Sequence, residues 1–242
     1  MNSADEDLPL ILAHKYYGAP SAFTPESLLR EARRQKGAAT VSVPKVCLLD
    51  PDADIVRQLK ADGRAHLHEG WVCYHTDLFV FENGGLTMGV VGCAVGASFA
   101  ALFHADRSAL RDEGTSYHYL PPSDWSDAPE ALLDRLTDAF TDLGAPVLRG
   151  ATWTTDAPFR ETEQAIMAMK ARNILAVEME AAGLYAFAAA RGRRVVCFAH
   201  VTNQMGQIEG DFEKGDKNGT AEALELVRLT AERLCALRDC AG

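Results

Sequence analysis

No stretch of this chain is apolar for long enough to span a bilayer, and no basic segment followed by an apolar run opens it. A cytoplasmic protein without a membrane partner is therefore expected. Basic residues are the minority: 24 Lys and Arg stand against 34 Asp and Glu, a formal net charge of −10, with a pI near 5.2. That balance argues against a general surface for nucleic acid polymers and leaves room only for a local basic pocket. The cysteines, at 47, 73, 93, 197, 235 and 240, lack ligand spacing, so neither a zinc site nor a disulfide framework is indicated. What the chain does have is apolar content, 48% over 242 residues, enough to bury a sizeable single core.

Residues 1–9 are acidic and read as a frayed end. Thr24-Pro25-Glu26 opens a helix with a capping threonine and a first-turn proline. Its far side carries Arg30, Arg33, Arg34 and Lys36, either a solvated face or a reach toward phosphate in a neighbouring subunit. A strand over 41–49 is broken by Asp50-Pro51-Asp52. A helix over 53–60, a hairpin or strand pair within 66–81, a turn at Asn83-Gly84-Gly85 and a central strand over 86–91 follow. The glycine-rich crossing from Gly92 to Ser98 suits either close helix packing or the approach of backbone N–H groups to an anion. A helix over 131–143, a strand over 147–153, a helix over 161–170 and a last helix over 220–237 continue the α/β rhythm. The expected architecture is one α/β domain over 1–242, in three layers, with a central mixed, largely parallel sheet flanked by helices.

The most informative stretch is 173–206, NILAVEMEAAGLYAFAAARGRRVVCFAHVTNQMG. It reads as an acidic entrance, an apolar helix to residue 190, a turn at Gly192 and a buried strand over 195–201 ending in Thr202 and Asn203. Glu178 and Glu180 flank Met179 in otherwise apolar surroundings, and buried carboxylates need partners. Either backbone N–H groups at the helix start supply them, or one carboxylate accepts a ligand's vicinal hydroxyls while Met179 lies against its apolar face.

VEMEAAGLYAFAAARG resembles the ribose-binding segment of the nucleoside phosphorylase and nucleosidase superfamily, in the branch of uridine phosphorylases and hexameric purine nucleoside phosphorylases. The resemblance implies that Glu180 holds the ribose 2′-hydroxyl, that Met179 packs against the sugar and that Glu178 is a neighbouring support. A second similar segment, GATWTTDAPFRET at 150–162, implies that Phe159 or Trp153 covers the base, with Thr154 and Arg160 near base or sugar. The crossing at 92–98 resembles the family's second anion loop, placing Gly92 and Ser98 close to phosphate. His118, between two tyrosines in RDEGTSYHY, lines the pocket or stacks at a subunit interface, and Arg111, Asp112 and Glu113 are expected to form a local network. Asn203 and Gln204 stand where purine-specific relatives carry an aspartate. An amide is no general acid, so they suit a pyrimidine carbonyl and N3–H better.

The chain departs from the family's pattern in two places. Its turn Leu49-Asp50-Pro51 lacks the leading glycine of the family's Gly-Asp-Pro, and Asp52 and Asp54 stand where a phosphate-binding arginine belongs, with Arg57 one turn further on. Near 103–107, about three dozen residues that would make one helix–strand unit are absent. A parallel sheet does not readily lose a central strand, so an omitted internal segment is expected there. The implied function is phosphorolysis of a pyrimidine ribonucleoside such as uridine, with inorganic phosphate as co-substrate, no other cofactor and no metal. The implied assembly is a homo-oligomer, from dimer to hexamer. A hydrolytic nucleosidase and a nucleoside-binding protein without turnover are the alternatives.

Overall fold

The computed structural model describes residues 16–20, 25–73, 76–93, 108–202 and 216–235. In chain order its regular elements are α1 (Pro25–Lys36), β1 (Val46–Pro51), α2 (Asp54–Ala61), β2 (His66–Leu67), β3 (Leu78–Asn83), β4 (Leu86–Cys93), β5 (Ser108–Asp112), β6 (Trp125–Asp127) and α3 (Glu130–Leu133). They continue with β7 (Ala151–Thr155), α4 (Glu163–Ala171), β8 (Ile174–Glu178), α5 (Ala181–Arg191) and α6 (Thr220–Cys235). No described helix is long and apolar enough to cross a membrane. The class is mixed α/β, as the sequence indicates. The strands, however, divide between two four-stranded sheets, in the orders β1-β4-β3-β2 and β6-β5-β7-β8. Parallel and antiparallel pairs are balanced: β1–β4, β5–β7 and β7–β8 run parallel, the other three antiparallel.

The chain forms two compact units, one of residues 20–94, 135–146 and 202–242, the other of 1–19, 95–134 and 147–201. In the first, β3 and β4 are joined by the two-residue turn Gly84-Gly85, whose φ angles of 58° and 79° are both in the left-handed region a tight hairpin demands. Phe81, Met88 and Val90 are buried on one face of this hairpin and Leu78 and Val91 on the other, and α2 adds Ile55, Val56 and Leu59 to the core. Leu224, Val227 and Ala231 are the buried stripe of α6, at the helical spacing the sequence shows.

In the second unit, successive residues of β5 face opposite layers. Ala109 packs with Ala181, Ala182 and Tyr185 of α5. Leu110 packs with Trp153 and Ile174, against which Ala165 and Met169 of α4 lie. The sheet is thus sandwiched between α5 and α4.

Several sequence expectations shift. The strand expected from residue 41 begins at Val46, because Pro44 has no N–H to give a ladder. The helix expected over 131–143 ends at Leu133 and tightens into a 3-10 turn, Asp134–Leu136; the chain passes from one unit to the other there. Residues 195–201 form no strand beyond an isolated bridge at Phe198. The N–H of Cys197 donates instead to the Tyr185 hydroxyl, 3.3 Å away. Conversely, the acidic entrance before α5 is a strand, β8.

Candidate active site

Three strands of the second unit, β5, β7 and β8, run parallel and end side by side at Asp112, Thr155 and Glu178. Ligands of open α/β sheets bind beyond such carboxyl ends. The segments that follow these strands carry five of the expected site residues. His118 closes the 3-10 turn Ser116–His118 after β5. Phe159 and Arg160 lie in the 3-10 turn Pro158–Arg160 after β7, and Met179 and Glu180 form the junction from β8 to α5.

The register places Arg111, Thr154 and Glu178 in one row across the three strands. At its end, the Glu178 carboxylate accepts four hydrogen bonds. Oε1 takes the hydroxyls of Thr152, at 3.1 Å, and Thr154, while Oε2 takes the N–H groups of Glu180 and Ala181, each at 2.6 Å. Burial pushes the Glu178 carboxyl above its ordinary pKa, and those four donors work in the opposite direction. The Thr154 oxygen also accepts the Ala182 N–H at 2.9 Å, so one hydroxyl ties β7 to both β8 and the first turn of α5.

Glu180, immediately before α5, is 5% exposed, and its Oε2 accepts the Met179 N–H at 3.1 Å. Met179 is half-buried beside it. Backbone N–H groups at the helix start thus partner both members of the glutamate pair. Those of Glu180 and Ala181 satisfy Glu178, and Glu180 is the buried carboxylate one residue beyond Met179. Thr154 is fully buried with its hydroxyl engaged inside the protein. Phe159 is the opposite, 100% exposed at the tip of its turn, and Arg160 and His118 are also exposed. Trp153 is core, with its indole N–H donating to Asp112 at 2.9 Å.

Arg111, Asp112 and Glu113 do not hydrogen-bond to one another. Arg111, buried on β5, donates to the Ser126 hydroxyl and the Pro121 carbonyl, both at 2.8 Å, and lies over the Tyr117 ring. Burial lowers its pKa, with Tyr117 and Glu113 acting against that. The buried Glu113 carboxylate accepts the N–H groups of Thr115 and Ser116, shaping the turn that ends in His118. Sequence reading passed over Thr152 and gave Asp156 only as shaping the turn after β7. Thr152 shares Glu178 with Thr154, and Asp156 accepts the Gly114 N–H at 3.2 Å, joining the loops after β5 and β7. For Thr152 the signal was present in the alternation Thr152-Trp153-Thr154 on a strand neighbouring a glutamate.

In the other unit, β1 and β4 end together, with Asp50 opposite Gly92. Asp50 is buried and accepts the Val56 N–H of α2 at 2.8 Å. Burial raises its pKa to about 6, and Asp54 nearby adds to the rise. Arg57, the one cation considered for phosphate on this turn, is ion-paired with Asp54 on its own helix. Gly92 sits against α2's start: a Cβ there would come within 2.8 Å of the Ala53 Cβ. Close packing is thus reason enough for a glycine at 92. Ser98, Asn203, Gln204 and the junction at 103–107 lie outside the described residues.

Fold and site together define an α/β protein with a buried carboxylate just past the carboxyl ends of three parallel strands. The chain belongs to the phosphorylase superfamily, whose family model matches residues 84–238. Over 75 residues it is 36% identical to a DeoD-type purine nucleoside phosphorylase from Colwellia psychrerythraea. That stretch is 31% of this chain and 32% of the relative, so the chain aligns with about a third of the curated relative's length. Its fold is similar to that of a purine nucleoside phosphorylase from Toxoplasma gondii solved with immucillin-H. There the TM-score is 0.62 at 18% identity, over 82% of this chain and 92% of that one. It is also similar to a uridine phosphorylase from Vibrio fischeri solved with 6-hydroxy-1-naphthoic acid, with a TM-score of 0.57 at 18% identity, over 81% and 93%. At such identities the likeness shows the fold alone, and the relatives include both a purine and a uridine enzyme.

Proposed function

We propose that this protein is a nucleoside phosphorylase, cleaving the N-glycosidic bond of a nucleoside with inorganic phosphate to give the free base and a sugar 1-phosphate. The observation that carries the reading is the buried Glu180 carboxylate following Met179 at the carboxyl edge of β8, within the family match. As the bond from C1′ to the base breaks, its electron pair leaves with the base and the sugar gains oxocarbenium character. A carboxylate on the 2′-hydroxyl stabilises that electron-poor sugar more than the ground state, and a phosphate oxygen closes on C1′ as the base departs. Met179 supports the apolar face of the sugar, and Phe159 covers the base with Arg160, and His118 beside it. The crossing that begins at Gly92 and includes Ser98 holds the phosphate.

A pyrimidine ribonucleoside such as uridine is the proposed substrate, because Asn203 and Gln204 supply amides and no general acid at the base. No cofactor beyond phosphate enters the scheme. Both units carry parts of the family match, which supports reading the chain as one functional domain. The working form is proposed to be a cytoplasmic homo-oligomer.

A second reading, hydrolysis, is favoured by one observation. The turn at 50–54 holds three aspartates, and its arginine is paired with one of them, leaving the phosphate side poor in cations. Phosphate dependence decides between the two. Cleavage that requires phosphate and yields a sugar 1-phosphate is the expected result. Free sugar released at an unchanged rate in phosphate-free buffer would establish hydrolysis instead.

A further inference from the structure

We propose that Thr152, Thr154 and Glu178 are positioning residues that fix Glu180 and, through it, set the preference for a ribo over a 2′-deoxyribo sugar; this rests on the nucleoside-cleaving reading above.

The argument begins with saturation. A carboxylate offers about four acceptor positions, and Glu178 fills them with two threonine hydroxyls and two backbone N–H groups. It has nothing left for a sugar hydroxyl. Thr152 and Thr154, at 2% and 0% exposure, are equally removed from a ligand. What the assembly does hold is the backbone on either side of the Glu180 Cα. Oε2 of Glu178 binds the N–H of Glu180 and of Ala181, and the Thr154 hydroxyl binds that of Ala182. Three consecutive N–H groups at the start of α5 are therefore tied to side chains of β7 and β8. Glu180 is held at φ −134° and ψ −44°, just outside helical geometry, with its carboxylate turned back to the Met179 N–H.

The two threonines decide where the Glu178 carboxylate rests, and the carboxylate decides where the Glu180 backbone rests. Two residues separate β8 from α5, so no slack remains to absorb a shift. A contact to a 2′-hydroxyl is sensitive to displacements below 1 Å, whereas a 2′-deoxy sugar has no such contact to lose. Loosening the assembly should therefore reduce selectivity between the two sugars, an effect that general loss of packing does not produce.

The test is steady-state kinetics of Thr152→Val, Thr154→Val and Thr154→Ser on a ribonucleoside and its 2′-deoxy counterpart in phosphate buffer. Either valine variant should lower kcat/KM for the ribonucleoside roughly 10-fold, the order expected for displacing a charge-assisted contact. The same variants should change kcat/KM for the deoxynucleoside less than about 3-fold on that reasoning. Thr154→Ser, which keeps the hydroxyl, should restore selectivity. In a Glu180→Gln background, Thr152→Val should have no further effect on the ratio. Equal losses on both sugars, an unchanged ratio, or full additivity with Glu180→Gln would each overturn the proposal. Should Thr154→Val fail to fold, Thr152→Val leaves three donors on Glu178 and carries the test alone. If the wild-type protein cleaves neither substrate, the enzymatic reading fails by itself. The ratio of ribo to deoxy binding, measured by calorimetry on the same variants, then decides the positioning role. A wild-type chain that neither cleaves nor binds a nucleoside overturns both.

Discussion

A carboxylate buried to the extent of Glu180 has lost most of its hydration, so in the proposed reaction it would respond strongly to charge developing on the sugar. Replacing it with glutamine preserves shape and removes the charge. Turnover of the ribonucleoside is expected to fall about 10²-fold or more, the size of a lost charge-assisted transition-state contact. Near wild-type turnover by a folded Glu180→Gln protein would remove the residue from the mechanism. Phe159 presents the opposite balance. At 100% exposure its ring gives nothing to the core, so Phe159→Ala should leave the thermal midpoint unchanged. If the ring covers the base, KM for the nucleoside rises several-fold; an unchanged KM would retire that role. The glutamate–methionine–glutamate run was legible in the sequence because carboxylates in an apolar segment demand partners. Which glutamate was satisfied internally was not, since that depends on two threonine hydroxyls from a strand more than twenty residues earlier.

At the scale of elements, the start of α2 joins two features, a buried aspartate and a glycine contact. Asp50 has its folded pKa raised to about 6 from an ordinary 3.8, so the folded state holds its proton more tightly than the unfolded chain. Between those values the native state binds more protons, and stability contributed by this group falls as pH rises, the loss being complete above the folded pKa. Asp50→Asn should remove that slope and leave the protein more stable near pH 7.5, by up to about 3 kcal/mol for a shift of about two units. Denaturant titrations at pH 4.5 and 7.5 read this directly, and a variant less stable at pH 7.5 would show that the charged form is needed. Gly92→Ala should cost about 1–3 kcal/mol through overpacking on Ala53. Ala53 has a φ of 57°, so adding Ala53→Gly should recover stability on two counts, space and backbone strain. Failure of that rescue would mean the contact is not what excludes a side chain at 92. Amphipathic helices and the Gly84-Gly85 hairpin were readable because local chemistry dictates them. The strand β8 was not, because Ile174 to Glu178 is short, largely apolar and only two residues from a helix of similar composition. The expected strand over 195–201 failed for the converse reason. Its apolar run looks like a buried strand, but a tyrosine hydroxyl, which no periodicity reveals, takes one of its N–H groups.

For the whole molecule, the family match across both units gives the segment near 103–107 its importance. A protein with the expected helix–strand unit restored there should have an intact mass several kilodaltons above 26.2 kDa. A mass equal to that figure would make the shortening genuine and place the burden of phosphate binding on residues other than the family's usual arginines. The division of labour along the sheet edge also constrains how such a protein can diversify. The passage from β8 to α5 is only two residues long and is bonded on both sides, so it admits neither insertion nor easy substitution. The turn that carries Phe159 has no such ties on its aromatic ring. Drift among descendants of this sequence should therefore accumulate at the turn carrying Phe159 while the Met179–Glu180 junction stays fixed, and with the roles proposed for the two, new specificities would arise by exchanging the base before the sugar.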